Sequence, residues 1–268
     1  MDLIHLLKKY FWKGDRNKLS PDILIRIALV LFIGGFIQSS AGFGFGLFAL
    51  PLLLFMKLQL QEAVIIVVIG SAIQKILGIG YFRNVINLKE ISPLIISGLT
   101  GLPIGLYLML KVSGMHQASI KQVIGFLILI MLFFRWSGLK NRIISIKRVW
   151  TYIAGFISGV LNGFANIGGP PVVLWVLAQK WENKKMRATV ISFSLFFVPF
   201  QITIMIIMFG KSLHSPLLFS LILSPVVLIG SWCGLKFGDR FSRKILEKYM
   251  EFLLLLIAAV SVLRPLFK

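Results

Sequence analysis

Two uncharged stretches, each interrupted by small residues, constrain this chain more than any other feature. Residues 27–56, between Arg26 and Lys57, carry no charge, and neither do residues 149–179, between Arg148 and Lys180. The first breaks through Gly34-Gly35 and Gln38-Ser39-Ser40-Ala41-Gly42-Phe43-Gly44-Phe45-Gly46. The second breaks from Gly155 through Asn162-Gly163-Phe164-Ala165-Asn166-Ile167-Gly168-Gly169 to Pro170-Pro171. At about 1.5 Å per residue, one helix of this length runs roughly 45 Å, against a hydrocarbon core of about 30 Å. A helix, a glycine-rich turn and a second helix fit better. Lipid cannot satisfy the amides and carbonyls of irregular backbone, so such turns are shielded by protein or line a wet cavity. Interruptions at matching places in two halves point to a transporter's substrate site.

Composition sets the class. Of 268 residues, 57% are hydrophobic and 14% charged, where a soluble domain carries about 25% charged. Apolar runs near the spanning length recur from Asp22 onward, so the chain is all-α and polytopic in a cell membrane, with lipid as its surroundings. The net charge of +20 sits in short segments between apolar runs, which suits anionic headgroups rather than nucleic acid. The single cysteine, Cys233, allows no internal disulfide and no cysteine metal site.

Ten apolar segments are legible, approximately 22–41, 44–56, 61–82, 91–110, 119–136, 149–166, 170–180, 188–210, 215–235 and 245–266, giving eight to ten spans. The second and seventh are short, and read as half-helices or as arms of re-entrant hairpins. Matches at an offset of roughly 120 residues divide the chain into a basic cytoplasmic or interfacial arm (1–21), a first membrane repeat (22–136), a basic linker (137–148) and a second repeat (149–268). An odd number of spans per half makes the repeats inverted. Gly101 to Gly105 and Gly230 to Gly234 are small-xxx-small patterns that let helix backbones approach. The positive-inside bias, applied to the basic segments 1–26, 135–148, 180–187 and 236–248, is not met in full by eight or by ten spans; it favours a cytoplasmic N-terminus.

Lys75 stands midway through 61–82, where a charge costs about 2.5–3.5 kcal/mol on insertion scales. Ser71, Gln74, Lys75 and Gly78 share one helix face. That face reads as a fixed cation with amide donors toward an anion, against the alternatives of a snorkelling lysine or a helix contact. Ser194 and Gln201 share a face in the second half, and Pro199 frees the Leu195 carbonyl. At the breaks, Gln38, Ser39, Ser40, Gly42, Phe43 and Gly44, then Asn162, Gly163, Asn166, Gly168 and Gly169, supply neutral donors and restarting helix ends suited to an anion. Capping and tight packing are the plain alternative. The acids and the histidines His5, His116 and His214 lie away from the apparent midplane, so no proton relay, metal cluster or cofactor site is legible.

The paired breaks, Ala41 to Gly46 then Pro51 and Asn162 to Pro171, resemble the sulfite exporter TauE/SafE family of permeases over nearly the whole chain from Leu24. This chain departs from the glycine-rich pattern at Phe45 and at Ala165-Asn166. The resemblance implies secondary transport, not catalysis, of a small organic or sulfur-containing anion such as sulfite or a sulfonate. The direction, the coupling ion (proton or sodium) and a homo-oligomeric state stay open. A passive anion channel and a non-transporting sensor subunit are the alternatives.

Overall fold

The computed structural model describes residues 21–41, 44–82, 87–136, 148–179, 181–238 and 243–263. These residues form helices and short turns, with no strand among them. In order they are α1 (Pro21–Ala41), α2 (Phe45–Phe55), α3 (Leu60–Phe82), α4 (Leu88–Ser113), α5 (Gln117–Trp136), α6 (Arg148–Ala165), α7 (Gly169–Ala178), α8 (Asn183–Phe209), α9 (His214–Ile222), α10 (Ser224–Gly238) and α11 (Arg243–Leu263). A 3-10 turn, Gly210–Leu213, joins α8 to α9. The apolar segment expected over 215–235 is two helices, because Pro225 removes a donor and disfavours a continuous helix just before it.

Five described segments are long and apolar enough to cross a membrane: Asp22–Ser40, Leu60–Gly80, Leu88–Ser113, Gln117–Phe134 and Lys184–Ile222. The apolar helices Phe45–Phe55 and Gly169–Ala178 are shorter. Both are hairpin arms. Phe45, at the start of α2, packs its ring on Gly34 of α1, and at the far end Lys121 of α5 lies 5.6 Å from the Phe55 ring. Trp175 of α7 donates its indole N–H to Thr151 near the start of α6 at 2.9 Å. Each short helix therefore doubles back along the one before it.

Glycines decide the closest packing. The broadest contact joins α4 to α6, and the next joins α1 to α10. A Cβ on Gly101 would strike the Phe156 carbonyl, one on Gly159 the Gly98 carbonyl, and one on Gly163 the Leu102 carbonyl. Gly230 and Gly234 of α10 meet the Phe32 and Phe36 carbonyls of α1 in the same way. These are the backbone approaches that small-xxx-small spacing permits.

The contacts also fix helix directions. α1 runs parallel to α10, since Phe32 meets Gly230 and Phe36 meets Gly234. α4 runs parallel to α6 and to α8, whose Lys185 pairs with Glu90 at 2.6 Å and whose Phe197 packs on Gly98. α3 runs parallel to α1, with Phe45 between Gly34 and Gly70 and Gln74 bonded to Ser39. It runs antiparallel to α8: Ile79 packs on Ala188 and Ile191, while α3 also meets the turn and helix that follow α8. α5 and α11 are antiparallel, with Gly125 on Ser261 and the Trp136 indole on Glu251 at 3.0 Å.

One face of the bundle therefore carries the ends of helices at Phe82, Trp136, Arg148, Ala178, Asn183, Gly238 and Arg243. These ends flank three of the four basic segments, 135–148, 180–187 and 236–248. The start of α1 lies on the other face. The described part of the fourth, residues 21–26, falls on that other face.

Candidate functional site

The two turns are built differently and meet each other. Gly44 opens α2 at φ 113°, a conformation that strains any residue with a side chain, and its carbonyl accepts from the Phe48 amide at 3.0 Å. Gly42 and Phe43 lie outside the described residues. The second turn reverses at Asn166, which takes φ 55°, a conformation asparagine tolerates. The Asn166 amide stays on the Asn162 carbonyl at 2.8 Å, and the Ser158 hydroxyl donates to the Gly168 carbonyl. A Cβ on Gly46 would run into the Asn166 carbonyl, so α2 starts directly against the opposite turn.

Between them lies a cavity of about 40 Å³. Gln38 and residues 44–47 contribute from the first break, and Asn162, Asn166, Ile167, Gly169 and Pro170 from the second. Ser71 and Lys75 of α3, with Val190, Ile191 and Ser194 of α8, complete the wall. The space is that of about three waters.

Lys75 is 5% exposed while its neighbour Ile76 is 61% exposed, so the lysine turns inward and the isoleucine outward. Its Nζ donates to the Ser71 hydroxyl at 3.3 Å, and Asn166 Nδ2 donates to the same oxygen at 3.0 Å. No acidic side chain among the described residues pairs with Lys75. Behind this layer, Gln74 Nε2 donates to the Ser39 hydroxyl and Gln201 Nε2 to the Asn162 carbonyl, both at 2.8 Å. Each glutamine thus holds the helix end that precedes the turn of its own half. Asn162 Nδ2 and Gln74 Oε1 are buried without a hydrogen-bond partner.

Of the residues singled out in the sequence, Gln38, Gly44, Lys75, Asn162, Asn166, Gly169 and Ser194 line the cavity. Ser39, Gln74 and Gln201 stand one layer behind, and Gly168 packs on the Asn162 side chain. Ser40 instead bonds the carbonyls of Phe36 and Gly234, and Gly163 meets α4, so both serve helix contacts. The sequence reading did not single out the apolar wall of Phe45, Leu47, Ile167, Val190 and Ile191, nor Arg187, which donates to the Ser39 carbonyl at 2.5 Å. One signal was available: Arg187, Val190, Ile191 and Ser194 fall at i, i+3, i+4 and i+7 on α8.

The two helix starts differ in donors. The first turn of α2 keeps its amides at Phe45, Gly46 and Leu47, while α7 carries Pro170 and Pro171 there and loses two. The anion-favouring end is therefore mainly that of α2, which lines the same cavity as Lys75. Among the described residues no three His, Cys, Asp or Glu side chains group as metal ligands. One cation, neutral donors and a small space can hold a compact anion.

No curated protein and no solved structure matches the chain. The family described as sulfite exporter TauE/SafE matches residues 27–261, which takes in both turns and every helix around the cavity. The chain belongs to that family, and it is a multi-pass membrane transporter of sulfite or similar anions.

Proposed function

We propose that the protein is a secondary transporter of a small sulfur-containing anion, sulfite or a sulfonate, working by alternating access between residues 22–136 and 149–268. One observation carries this reading: Lys75 is buried, without an acidic partner among the described residues, in a cavity whose walls come from both turns. A charge left in that position is costly unless an anion completes it. The α2 amides and the Asn162 carboxamide supply the remaining donors, and the apolar wall excludes competing water.

The helix directions support an inverted relation between the halves. α3 and α8 hold corresponding places and run antiparallel, as do α5 and α11. α1 pairs with α10 as α6 pairs with α4. Movement of one half against the other would part the two turns and open the cavity to alternate faces.

Sulfite or methanesulfonate uptake into proteoliposomes tests the reading. Saturable flux with counterflow exchange, lost in Lys75→Ala protein that still inserts, is the expected result. Wild-type flux in that variant overturns it, and single-channel currents would make the protein a channel.

A further inference from the structure

Between the cavity wall and the basic face, one turn before Val190 on α8, lies a contact between the two halves. The Arg187 guanidinium of α8 donates to the Ser39 carbonyl of α1 at 2.5 Å. That carbonyl is among the last four of α1, which have no partner within their own helix and sit at its negative pole. Arg187 stands one turn from Val190 and Ile191 on the face of α8 that walls the cavity, toward the exposed Lys184. Ser39 is the same residue whose hydroxyl takes Gln74, the neighbour of Lys75.

We propose that Arg187 is the gate of the basic face: its bond to the Ser39 carbonyl holds α8 against α1 over the cavity, and an incoming anion competes for that guanidinium. A carbonyl offers a partial charge, whereas an oxyanion offers a full charge and two oxygens in the geometry a guanidinium prefers. Transfer of the guanidinium from Ser39 to the anion unties α8 from the end of α1, which Gln74 and the Gly234 carbonyl still hold, and leaves the anion one turn from the Lys75 chamber. The identity of the anion rests on the transport reading above; the gate itself rests on the contact.

Thiol labelling in nanodiscs, which expose both faces, tests this. Cys233→Ala removes the native cysteine of the full chain. Ser194→Cys and, separately, Val190→Cys then report the cavity, and Ser220→Cys, buried in α9, reports general loosening. Adding Arg187→Ala should raise maleimide labelling at 194 and 190 by about tenfold or more, the factor expected for losing a charge-assisted hydrogen bond, and leave 220 unchanged. Arg187→Lys, which keeps a single point donor, should fall between. Methanesulfonate, which does not attack maleimide, should speed labelling at 194 when Arg187 is present and have no effect in Arg187→Ala. Equal rates with and without Arg187, or an equal rise at 220, overturn the gate. A gate that opens on Arg187→Ala but ignores methanesulfonate upholds Arg187 as the closure and counts against a sulfonate as the anion that releases it.

Discussion

Asn166, at the reversal after α6, donates to the Ser71 hydroxyl of α3 at 3.0 Å, on the same oxygen that Lys75 reaches at 3.3 Å. The Ser71 hydroxyl in turn donates to the Val68 carbonyl at 3.1 Å, so its hydrogen-bonding capacity is spent. One hydroxyl therefore aims the buried cation and ties the second turn to the first half. Ser71→Ala removes both links. Loss of a buried polar partner of this kind costs about 1–3 kcal/mol, so anion affinity should fall about fivefold to a hundredfold. Isothermal titration of purified protein with sulfite reads this directly.

Lys75 itself should matter more. Lys75→Gln keeps a donor, on a side chain one atom shorter, but removes the charge, and charge-assisted bonds are about twice as strong as neutral ones. Proteoliposome uptake should drop at least about a hundredfold, with Lys75→Arg retaining part of it. Removing the charge also removes a buried cost, so thermal unfolding of Lys75→Gln should be unchanged or shifted upward. A fall in both flux and stability would mean that the lysine serves the fold alone.

The glycine contacts yield a stability contrast. Gly159→Ala drives a methyl into the Gly98 backbone, whereas a Cβ on Gly80 meets nothing within 4 Å. The first should destabilise by about 1–3 kcal/mol or more, because backbone cannot move aside as a flexible side chain does. The second should lie within about 0.5 kcal/mol of the parent. Unfolding midpoints in detergent compare the two.

Trp175→Phe cuts the bond from α7 to Thr151 while keeping a large ring on the hairpin. A neutral hydrogen bond contributes about 1 kcal/mol net, so amide protection in α7 should fall about fivefold. Hydrogen exchange resolved to α7 against α3 checks whether the loss is local.

Helix directions make a topological prediction. Cysteines replacing Arg148, Lys184 and Lys236 should all label from one side of the membrane, and those replacing Lys57, Lys111 and Lys211 from the other. By the positive-inside bias the first set is cytoplasmic, which sets the start of α1 outside, the reverse of what the N-terminal cluster alone implies. A mixed pattern within either set refutes the arrangement.

How much of this was legible in the sequence follows from which interactions are local. The uncharged runs, the breaks and the inward face carrying Ser71, Gln74 and Lys75 are properties of short windows, and helical periodicity exposes them. The small-residue spacing on α10 likewise announced a close helix contact, though not that α1 was its partner. Backbone direction after a turn is different. Nothing in Gly168-Gly169-Pro170 says whether α7 continues or folds back; that depends on Trp175 finding Thr151. Arg187 was hidden for a similar reason. It belongs to a basic cluster by sequence, and its bond to the Ser39 carbonyl comes from the end of α1, 148 residues earlier in the chain.

The pairing of α1 with α10 has a consequence for how the protein is made. Ser40 bonds a carbonyl 194 residues further on, and at about 5–20 residues per second the ribosome needs roughly 10–40 s to supply it. Until then the first helix enters the bilayer with its notched side uncovered and the polar residues near its end unmatched. Nascent chains that stop short of α10 should accordingly be clients of the insertion and quality-control machinery, and a truncated first half should be degraded rather than accumulate.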